Sequence, residues 1–359
     1  MKGQSTDYEI NYLSKTRPYI NRYIQKYKNV NIFDKNFGRE VWDGIWDEMV
    51  KAQNYLPFEK HQPQEHFQLL HRYEYLFFLR YLFWVQKGRN IFQYSDALIE
   101  MLENTDVEQI EFEQIKLPYK SFYISLVEKD IFLYPDEEGR DVFANGALIT
   151  QAKDKEIDVF FLGRIKDEAA YKNRKWFFHP EYKVGYTLEF DADKTTIKDA
   201  LTNFQNKLQS NYDKSGVDQR MEVLLSNIRL VVNCICYLSL ENKDIIKDYP
   251  TDVPTHLIER LKRGTTRHKK EKAETEISQA GFTKINFCGQ KYKNNPDLNS
   301  LNISGIKPHW RRGHYRNQVH GEGNLLRKMI WIEPTIVNKS LGDPEKGHIY
   351  NVEKENKNG

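Results

Sequence analysis

The residue types best suited to chemistry are concentrated in one segment near the C-terminus, residues 307–338. Guanidinium groups, aromatic rings and imidazoles follow one another there at close spacing. Guanidinium groups form paired hydrogen bonds with phosphate or carbonyl oxygens, and aromatic faces stack on bases. The segment is therefore predicted to bind RNA or a peptide backbone. The predicted partner-binding residues are Trp310, Arg311, Arg312, His314, Tyr315, Arg316, Arg327, Lys328 and Trp331.

Two glycines indicate how this segment folds. Gly321 and Gly323 allow a reversing loop between one strand and a second strand at Lys328–Ile332, which predicts a β-hairpin. Side chains alternate between the faces of a strand, and one face must be core. On the first strand the alternation places Trp310, Arg312, His314 and Arg316 opposite Arg311 and Tyr315. On the second strand it places Arg327, Met329 and Trp331 opposite Lys328, Ile330 and Ile332.

This hairpin has a purely structural alternative. In that interpretation Trp331, Ile330 and the other rings only close a sheet, while the arginines form ion pairs with carboxylates of the same protein. The histidines suggest a third role, because His314, His320 and Lys328 together could cleave RNA without a metal. Nothing in their spacing marks a catalytic set. We therefore assign no catalytic residue and favour a binding protein over a ribonuclease.

A metal site is not expected. His309, His314 and His320 have no Cys or carboxylate close enough in sequence to complete a familiar zinc spacing. The glycines at 321 and 323 are also too few for a phosphate-binding loop. The sequence therefore predicts no metal and no cofactor.

The charge of the chain is unevenly distributed. Residues 260–328 contain 16 Lys and Arg against 5 Asp and Glu, a net charge of +11. The whole chain carries +3, so the remainder carries −8. A concentrated positive field is typical of proteins that meet a phosphate backbone or another acidic surface, although a solvated basic helix gives the same composition.

Length and composition limit the class of protein. A chain of 359 residues favours two domains or one domain with long extensions. Its 13% aromatic content excludes a disordered chain. Cys234, Cys236 and Cys288 have no disulfide or zinc-finger spacing, which favours a reducing, cytoplasmic location. No run of about 18 apolar residues and no signal-peptide pattern is present, so we expect neither secretion nor a membrane span.

The periodicity predicts an α+β fold: a helical N-terminal half, a mixed β-rich middle packed on long helices, and a C-terminal basic β-hairpin. Helices are predicted at 41–52, 66–86, 96–103 with Ser95 as N-cap, from a cap at Thr195 or Thr196 to about 210, 219–240 with Cys234 and Cys236 in the core, and 256–263. Strands are predicted at 121–127, 131–134, 147–150, 157–162, 176–178 and 184–190. Residues 267–279 are either a mobile arm or a solvated helix. The predicted regions are helical 1–115, α+β 116–250, a basic connector 251–281, the β-hairpin region 282–340 and a flexible tail 341–359.

A set of about thirty residues in the C-terminal segment resembles a known signature. The signature is that of the C-terminal region in the second-named family of type V-A anti-CRISPR proteins, which includes phage and plasmid relatives. The matching residues are Arg311, Arg312, Gly313, His314, the aromatic Tyr315, Gly321, Gly323, Trp331, Pro334, Val337 and Asn338. Tyr315 and Arg316 stand where a family member has Trp and His, and both changes keep the chemical type.

The resemblance implies a mobile-element protein that acts in the cytoplasm against host defence. The founding member of that family suppresses production of the CRISPR effector nuclease, by lowering its mRNA in a way linked to the nascent chain. The implied partner is therefore an RNA or a ribosome-nascent chain complex, with a peptide as a further partner and no membrane. The alternatives are a metal-independent ribonuclease that uses His314 and His320, and a structural phage protein.

Overall fold

A computed structural model gives the fold. It describes residues 18–27, 29–31, 35–55, 64–126, 129–135, 139–151, 153–165, 183–211, 217–250, 253–280, 282–293, 300–301 and 309–338. The helices are α1 (Pro18–Tyr27), α2 (Lys35–Tyr55), α3 (Gln64–Gln86), α4 (Asp96–Glu103), α5 (Ile197–Asn211), α6 (Val217–Ser239), α7 (Thr255–Arg263), α8 (Arg267–Gln279) and α9 (Gln290–Lys293). The strands of the first half are β1 (Ile91–Tyr94), β2 (Thr105–Asp106), β3 (Ser121–Ser125), β4 (Ile131–Pro135), β5 (Asp141–Thr150), β6 (Glu156–Ile165) and β7 (Lys183–Glu189). Those of the second half are β8 (Ile245–Asp248), β9 (Ile285–Cys288), β10 (Ser300–Leu301), β11 (His309–Arg311), β12 (Gly313–His320), β13 (Leu326–Ile332) and β14 (Thr335–Val337). The predicted α+β class is confirmed.

The main sheet combines parallel and antiparallel strands. Within the described residues its order is β7-β6-β5-β3-β1-β9-β8, and β4 pairs with β5 beside this path. The central strand β1 is parallel to both β3 and β9, with Ile91 opposite Tyr123 and Phe92 opposite Asn286. The other pairings in this sheet are antiparallel. A strand near residue 91 thus depends on a partner almost two hundred residues later in the chain.

Helices cover both faces of this sheet. Successive side chains of a strand point to opposite faces, and β1 shows the division. Ile91 packs in an apolar cluster with α1, α2 and α3, whereas Phe92 and Tyr94 pack in a second cluster with α4, α5 and α6. Because both faces are covered, the central strands are buried throughout and their sequences do not alternate between apolar and polar residues.

Helix α6 is the centre of the second layer. Its apolar stripe is buried, and Cys234 and Cys236 are fully buried as predicted. Met221–Ser239 is long and apolar enough to span a membrane by composition alone, but 72% of that window is buried inside the protein. A central core helix meets the same criterion, and here the helix packs against the sheet and α4.

Local sequence signals located several element boundaries correctly. The Ser95 hydroxyl accepts a hydrogen bond from Leu98 N at 3.3 Å and caps α4, as predicted. Thr196 and Asp199 cap the start of α5 by reciprocal hydrogen bonds. Strands β1, β8 and β9 were not predicted, and residues 147–150 are only the end of the longer strand β5. The predicted strand at 176–178 and the predicted flexible tail at 341–359 lie outside the described residues.

The main sheet joins three of the predicted regions. It takes β1 from residues 1–115, β9 from residues 282–340 and its other strands from residues 116–250. The predicted connector, 251–281, contains α7 and α8. The chain leaves the sheet after β8, forms these two helices and re-enters the sheet as the neighbouring strand β9. Residues 267–279 form helix α8 and bury Ala273 and Ile277, so the segment is not a mobile arm.

Candidate functional site

The predicted β-hairpin is present. Strands β12 and β13 pair antiparallel over seven positions, from His314 opposite Ile332 to His320 opposite Leu326. The loop between them uses Gly321 and Gly323 with φ values of 79° and 66°, a conformation that glycine adopts without steric cost. The other edge of β12 pairs with β2, which links the hairpin to the end of α4. The hairpin is thereby anchored to the second helical layer.

The inner face of the hairpin belongs to the core. Tyr315 lies directly opposite Trp331, and their rings stack at 6.4 Å. Tyr315 is buried, and its hydroxyl donates to the Asn233 carbonyl at 3.2 Å. Burial raises the pKa of Tyr315 well above its ordinary value, so the phenol stays neutral. Tyr315 was predicted to contact a partner, but its ring is buried and faces α6.

Trp331 is half-buried and packs on the same core. Its indole nitrogen donates to the Thr105 hydroxyl at 3.1 Å. Its ring meets Tyr237 edge-on at 5.7 Å and Tyr292 edge-on at 6.4 Å. A ring held by these contacts is not free to serve as a stacking platform for a base. The alternative in which Trp331 closes the sheet is therefore the better description of this residue.

The segment before the hairpin is two strands rather than one. Strand β11 pairs with β14, whereas β12 pairs with β13 and β2, and the chain changes partners at Arg312. This break interrupts the alternation. Trp310 packs against the core while Arg311 and Arg312 are both exposed. The prediction that Trp310 shares a face with Arg312, His314 and Arg316 is therefore wrong.

Gly313 explains why the chain changes partners at this point. Its amide donates to the Asn104 carbonyl at 2.9 Å, and it is buried. A Cβ atom at this position would lie 2.7 Å from the Ile332 carbonyl oxygen and 2.7 Å from Cδ of Pro334. The glycine is required by this close approach of two backbones. Gly313 and Pro334 of the sequence signature are thus direct neighbours.

The arginines of the segment and His314 face solvent, including Arg327, although alternation along β13 puts Arg327 on the same face as Trp331. They are exposed and, within the part of the chain that the structure describes, no carboxylate lies at ion-pair distance from any of them. Lys328 is partly buried, and its Nζ lies 4.0 Å from a carboxylate oxygen of Glu241. The alternative in which the arginines pair with the protein's own acids therefore does not hold for these described residues. The exposed cationic residues are Arg311, Arg312, His314, Arg316 and Arg327.

Apolar residues lie beside these cations. His314 is paired with Ile332, and Arg316 with Ile330, on the outer face. At the tip of the hairpin Leu325 and Leu326 are 85% and 57% exposed. We define the outer surface as the exposed side of β11, β12 and β13 together with this tip. The exposed leucines were not predicted, because nothing in the local sequence distinguishes an exposed leucine from a buried one.

The histidines do not form a catalytic pair. His314 and His320 are six residues apart on one straight strand, so their Cα atoms are separated by about 20 Å at the usual rise per residue. Two imidazoles at that separation cannot act on one phosphodiester, although His320 and Lys328 lie near each other across the hairpin. The described residues contain no cluster of three or more His, Cys, Asp or Glu side chains that could hold a metal ion.

The fold and this surface define a class: an α+β protein that anchors a β-hairpin on its core and presents cations on the hairpin's outer side. Residues 92–339 match the model of the AcrVA2-like family, described as the anti-CRISPR type V subtype A2 family. The chain belongs to this family, which confirms the resemblance seen in the C-terminal signature. The match begins in β1 and ends just after the hairpin, so it spans the main sheet.

A solved structure is also similar to this chain. The crystal structure of AcrVA2 aligns with a TM-score of 0.47 at 14% sequence identity, over 94% of this chain and 100% of the other. No curated protein sequence matches the chain.

Proposed function

We propose that this anti-CRISPR-like protein suppresses production of a type V-A CRISPR effector nuclease, through the effector's mRNA and nascent chain. Its outer surface would contact RNA or the translating complex, with a peptide segment as a further partner. The observation that supports this most directly is the set of exposed guanidinium groups without carboxylate partners among the described residues, above all Arg311 and Arg312. The proposed setting is the cytoplasm of the host cell.

The chemistry of the outer surface favours a polyanionic partner. A guanidinium group presents several N–H donors in one plane and binds phosphate oxygens in pairs. Free guanidinium groups retain this capacity, whereas those already paired with a carboxylate do not. Since Tyr315, Trp310 and Trp331 pack on the core, the contact would be mainly electrostatic and would depend little on stacking. We therefore expect binding with weak sequence preference and strong salt dependence.

The test compares two double variants of the full chain that remove the same charge. Arg311→Ala/Arg312→Ala changes the outer surface, and Arg39→Ala/Arg72→Ala removes two exposed arginines from α2 and α3. The association constant K for a labelled single-stranded RNA falls as salt rises. In the outer-surface variant the plot of log K against log salt should be less steep by about 1.4, since each lost phosphate contact contributes about 0.7 to its steepness. The control variant should keep the slope of the wild type. Thermal unfolding should be unchanged in both.

A second measurement identifies the target. RNA crosslinked to the wild type and to Arg311→Ala/Arg312→Ala in cells is sequenced. An enriched message that is lost in the variant would name the target RNA, and an enriched ribosomal RNA would indicate the translating complex. If the variant retains both RNA binding and suppression of the effector's mRNA, the proposal is wrong.

A further inference from the structure

A second basic element projects from the sheet at a different place. Helices α7 and α8 form a helical hairpin inserted between the neighbouring antiparallel strands β8 and β9. Its apolar side chains pack in a small cluster of their own, which includes Val253, Leu257 and Ile277. The polar sides of both helices are therefore left exposed. Both helices are rich in lysine and arginine.

A cleft of about 520 Å³ lies between the two helices. Arginines from α7 and lysines from α8 line it together with two glutamates. The charged lining residues are Arg260, Arg263, Lys269, Lys272, Glu259 and Glu276. The cleft is thus concave and carries more positive than negative groups.

The two glutamates in the cleft are already paired. Glu276 contacts Arg260, and Glu259 lies 3.1 Å from Arg263. Lys269 and Lys272 are exposed, and neither lies at ion-pair distance from a carboxylate in the described part of the chain. These two ammonium groups therefore account for the net positive charge of the cleft. Just outside it, α8 begins with basic residues and has no acid in its first turn, which adds potential of the same sign.

We propose that this cleft is a second nucleic-acid contact, which binds the phosphate backbone through Lys269 and Lys272. An ammonium group binds phosphate as a point charge without demanding a fixed geometry. None of the residues that line the cleft has an aromatic ring that could stack on a base, apart from the imidazole of His256. The cleft therefore contacts backbone and contributes affinity but little sequence information. Only the choice of RNA as the nucleic acid rests on the proposed function.

The experiment uses the full chain and three double variants. Lys269→Gln/Lys272→Gln removes the two free charges of the cleft. Lys194→Gln/Lys198→Gln removes two exposed lysines near the start of α5 and is the matched control. Lys269→Arg/Lys272→Arg retains the charge. Binding of labelled oligouridine and oligoadenine is measured by fluorescence anisotropy over a range of sodium chloride concentrations.

In the cleft variant the plot of log K against log salt should be less steep by about 1.4, equally for both RNAs, since two phosphate contacts of about 0.7 each are lost. The arginine variant should restore the slope, and the control should match the wild type. An unchanged slope in the cleft variant would overturn the proposal, as would a preference of the wild type for poly-glutamate over RNA. Deoxyoligonucleotides and duplex RNA in the same assay show which backbone the cleft accepts, and binding to none of them refutes it.

The Arg311→Ala/Arg312→Ala variant separates this inference from the proposed function. If that variant loses RNA affinity while the cleft variant does not, the inference fails and the proposed function stands. If only the cleft variant loses affinity, the inference stands and the outer surface is not the RNA contact.

Discussion

At the scale of single residues, the hairpin separates rings from cations. The rings lie inward because each has a polar atom that finds a partner there: the Tyr315 hydroxyl bonds to Asn233 O and the Trp331 indole to Thr105 Oγ1. A buried ring with a satisfied polar atom contributes its full apolar area to stability. The guanidinium groups lie outward because burial of an unpaired charge is costly. One short sequence thereby serves both core and surface.

Trp331 provides a direct test of this division. Trp331→Ala should lower the free energy of unfolding by about 3 kcal/mol, because the ring contacts Tyr237, Tyr292 and Tyr315. Trp331→Phe should lower the free energy of unfolding by less than Trp331→Ala, because it keeps most of the ring contacts although it loses the hydrogen bond to Thr105. Urea unfolding followed by circular dichroism gives both values.

The control for Trp331 lies on the same strand. Arg327 is exposed and has no ion pair with any described residue, so Arg327→Ala should change the free energy of unfolding by less than about 0.5 kcal/mol. Equal effects of Trp331→Ala and Arg327→Ala would show that the indole is not part of the core.

At the scale of elements, Gly313 fixes how closely β12 approaches the end of β13. Gly313→Ala should destabilise the protein by about 3 kcal/mol, because the added methyl group would meet the Ile332 carbonyl and the Pro334 backbone, which cannot rotate away. Gly139→Ala is the comparison. Gly139 has φ of 76° but nothing within 4 Å of the added atom. Gly139→Ala should therefore lower the free energy of unfolding by only about 1 kcal/mol, the cost of a left-handed conformation for alanine.

The two glycines separate two physical causes, lack of space and backbone conformation. Thermal unfolding of both variants at equal protein concentration measures the difference. If Gly139→Ala lowers the unfolding temperature as much as Gly313→Ala does, close packing is not the reason for the glycine at position 313 of the signature.

The elements also show how far the sequence alone could lead. The hairpin, the N-cap at Ser95 and helix α6 were predicted correctly, because each depends on residues within about one turn or one loop. Strands β1 and β9 were missed, because four buried residues have no alternation and their parallel pairing joins distant parts of the chain. The inward position of Tyr315 was missed because the partner that selects the face, α6, lies about eighty residues earlier.

The two candidate surfaces also differ in how much of each could be predicted from the sequence. The exposure of Arg311, Arg312 and Arg316 follows from residue type, since an unpaired guanidinium group is rarely buried. The cleft between α7 and α8 depends on how two helices pack, so composition indicated its charge but not its concave shape. The lysines and arginines of both surfaces come from residues 260–328, whose excess of positive charge was evident from the sequence.

At the scale of the whole molecule, the second apolar cluster holds several groups that ionise only at high pH. Tyr94 and Tyr315 are buried there with Cys234, Cys236 and Cys288. Burial raises the pKa of each group above its ordinary value, and it raises the pKa of Cys236 to about 12. The folded protein therefore keeps protons on these groups at a pH where the unfolded chain has lost them.

This difference predicts unfolding at alkaline pH. Below the ordinary pKa of a thiol, about 8.5, these groups are protonated in both states and their contribution to the free energy of unfolding does not change with pH. Above it the unfolded chain binds fewer protons than the folded one, so the free energy of unfolding falls as pH rises towards the folded values, by up to about 1.4 kcal/mol per pH unit for each group. Urea midpoints measured at intervals from neutral pH upward should therefore decrease steadily once the pH passes that of the free thiol.

Cys236→Ala tests whether the buried groups cause this decrease. The variant loses one group whose pKa differs between the two states, so its midpoint should fall less steeply with pH, even if its stability at neutral pH is lower. A thiol reagent added to the native wild type at mildly alkaline pH should react only at the rate of unfolding, because all three cysteines are buried. A midpoint independent of alkaline pH, or rapid labelling of the native protein, would mean that these side chains are accessible to solvent and that the cluster beneath the hairpin is not closed.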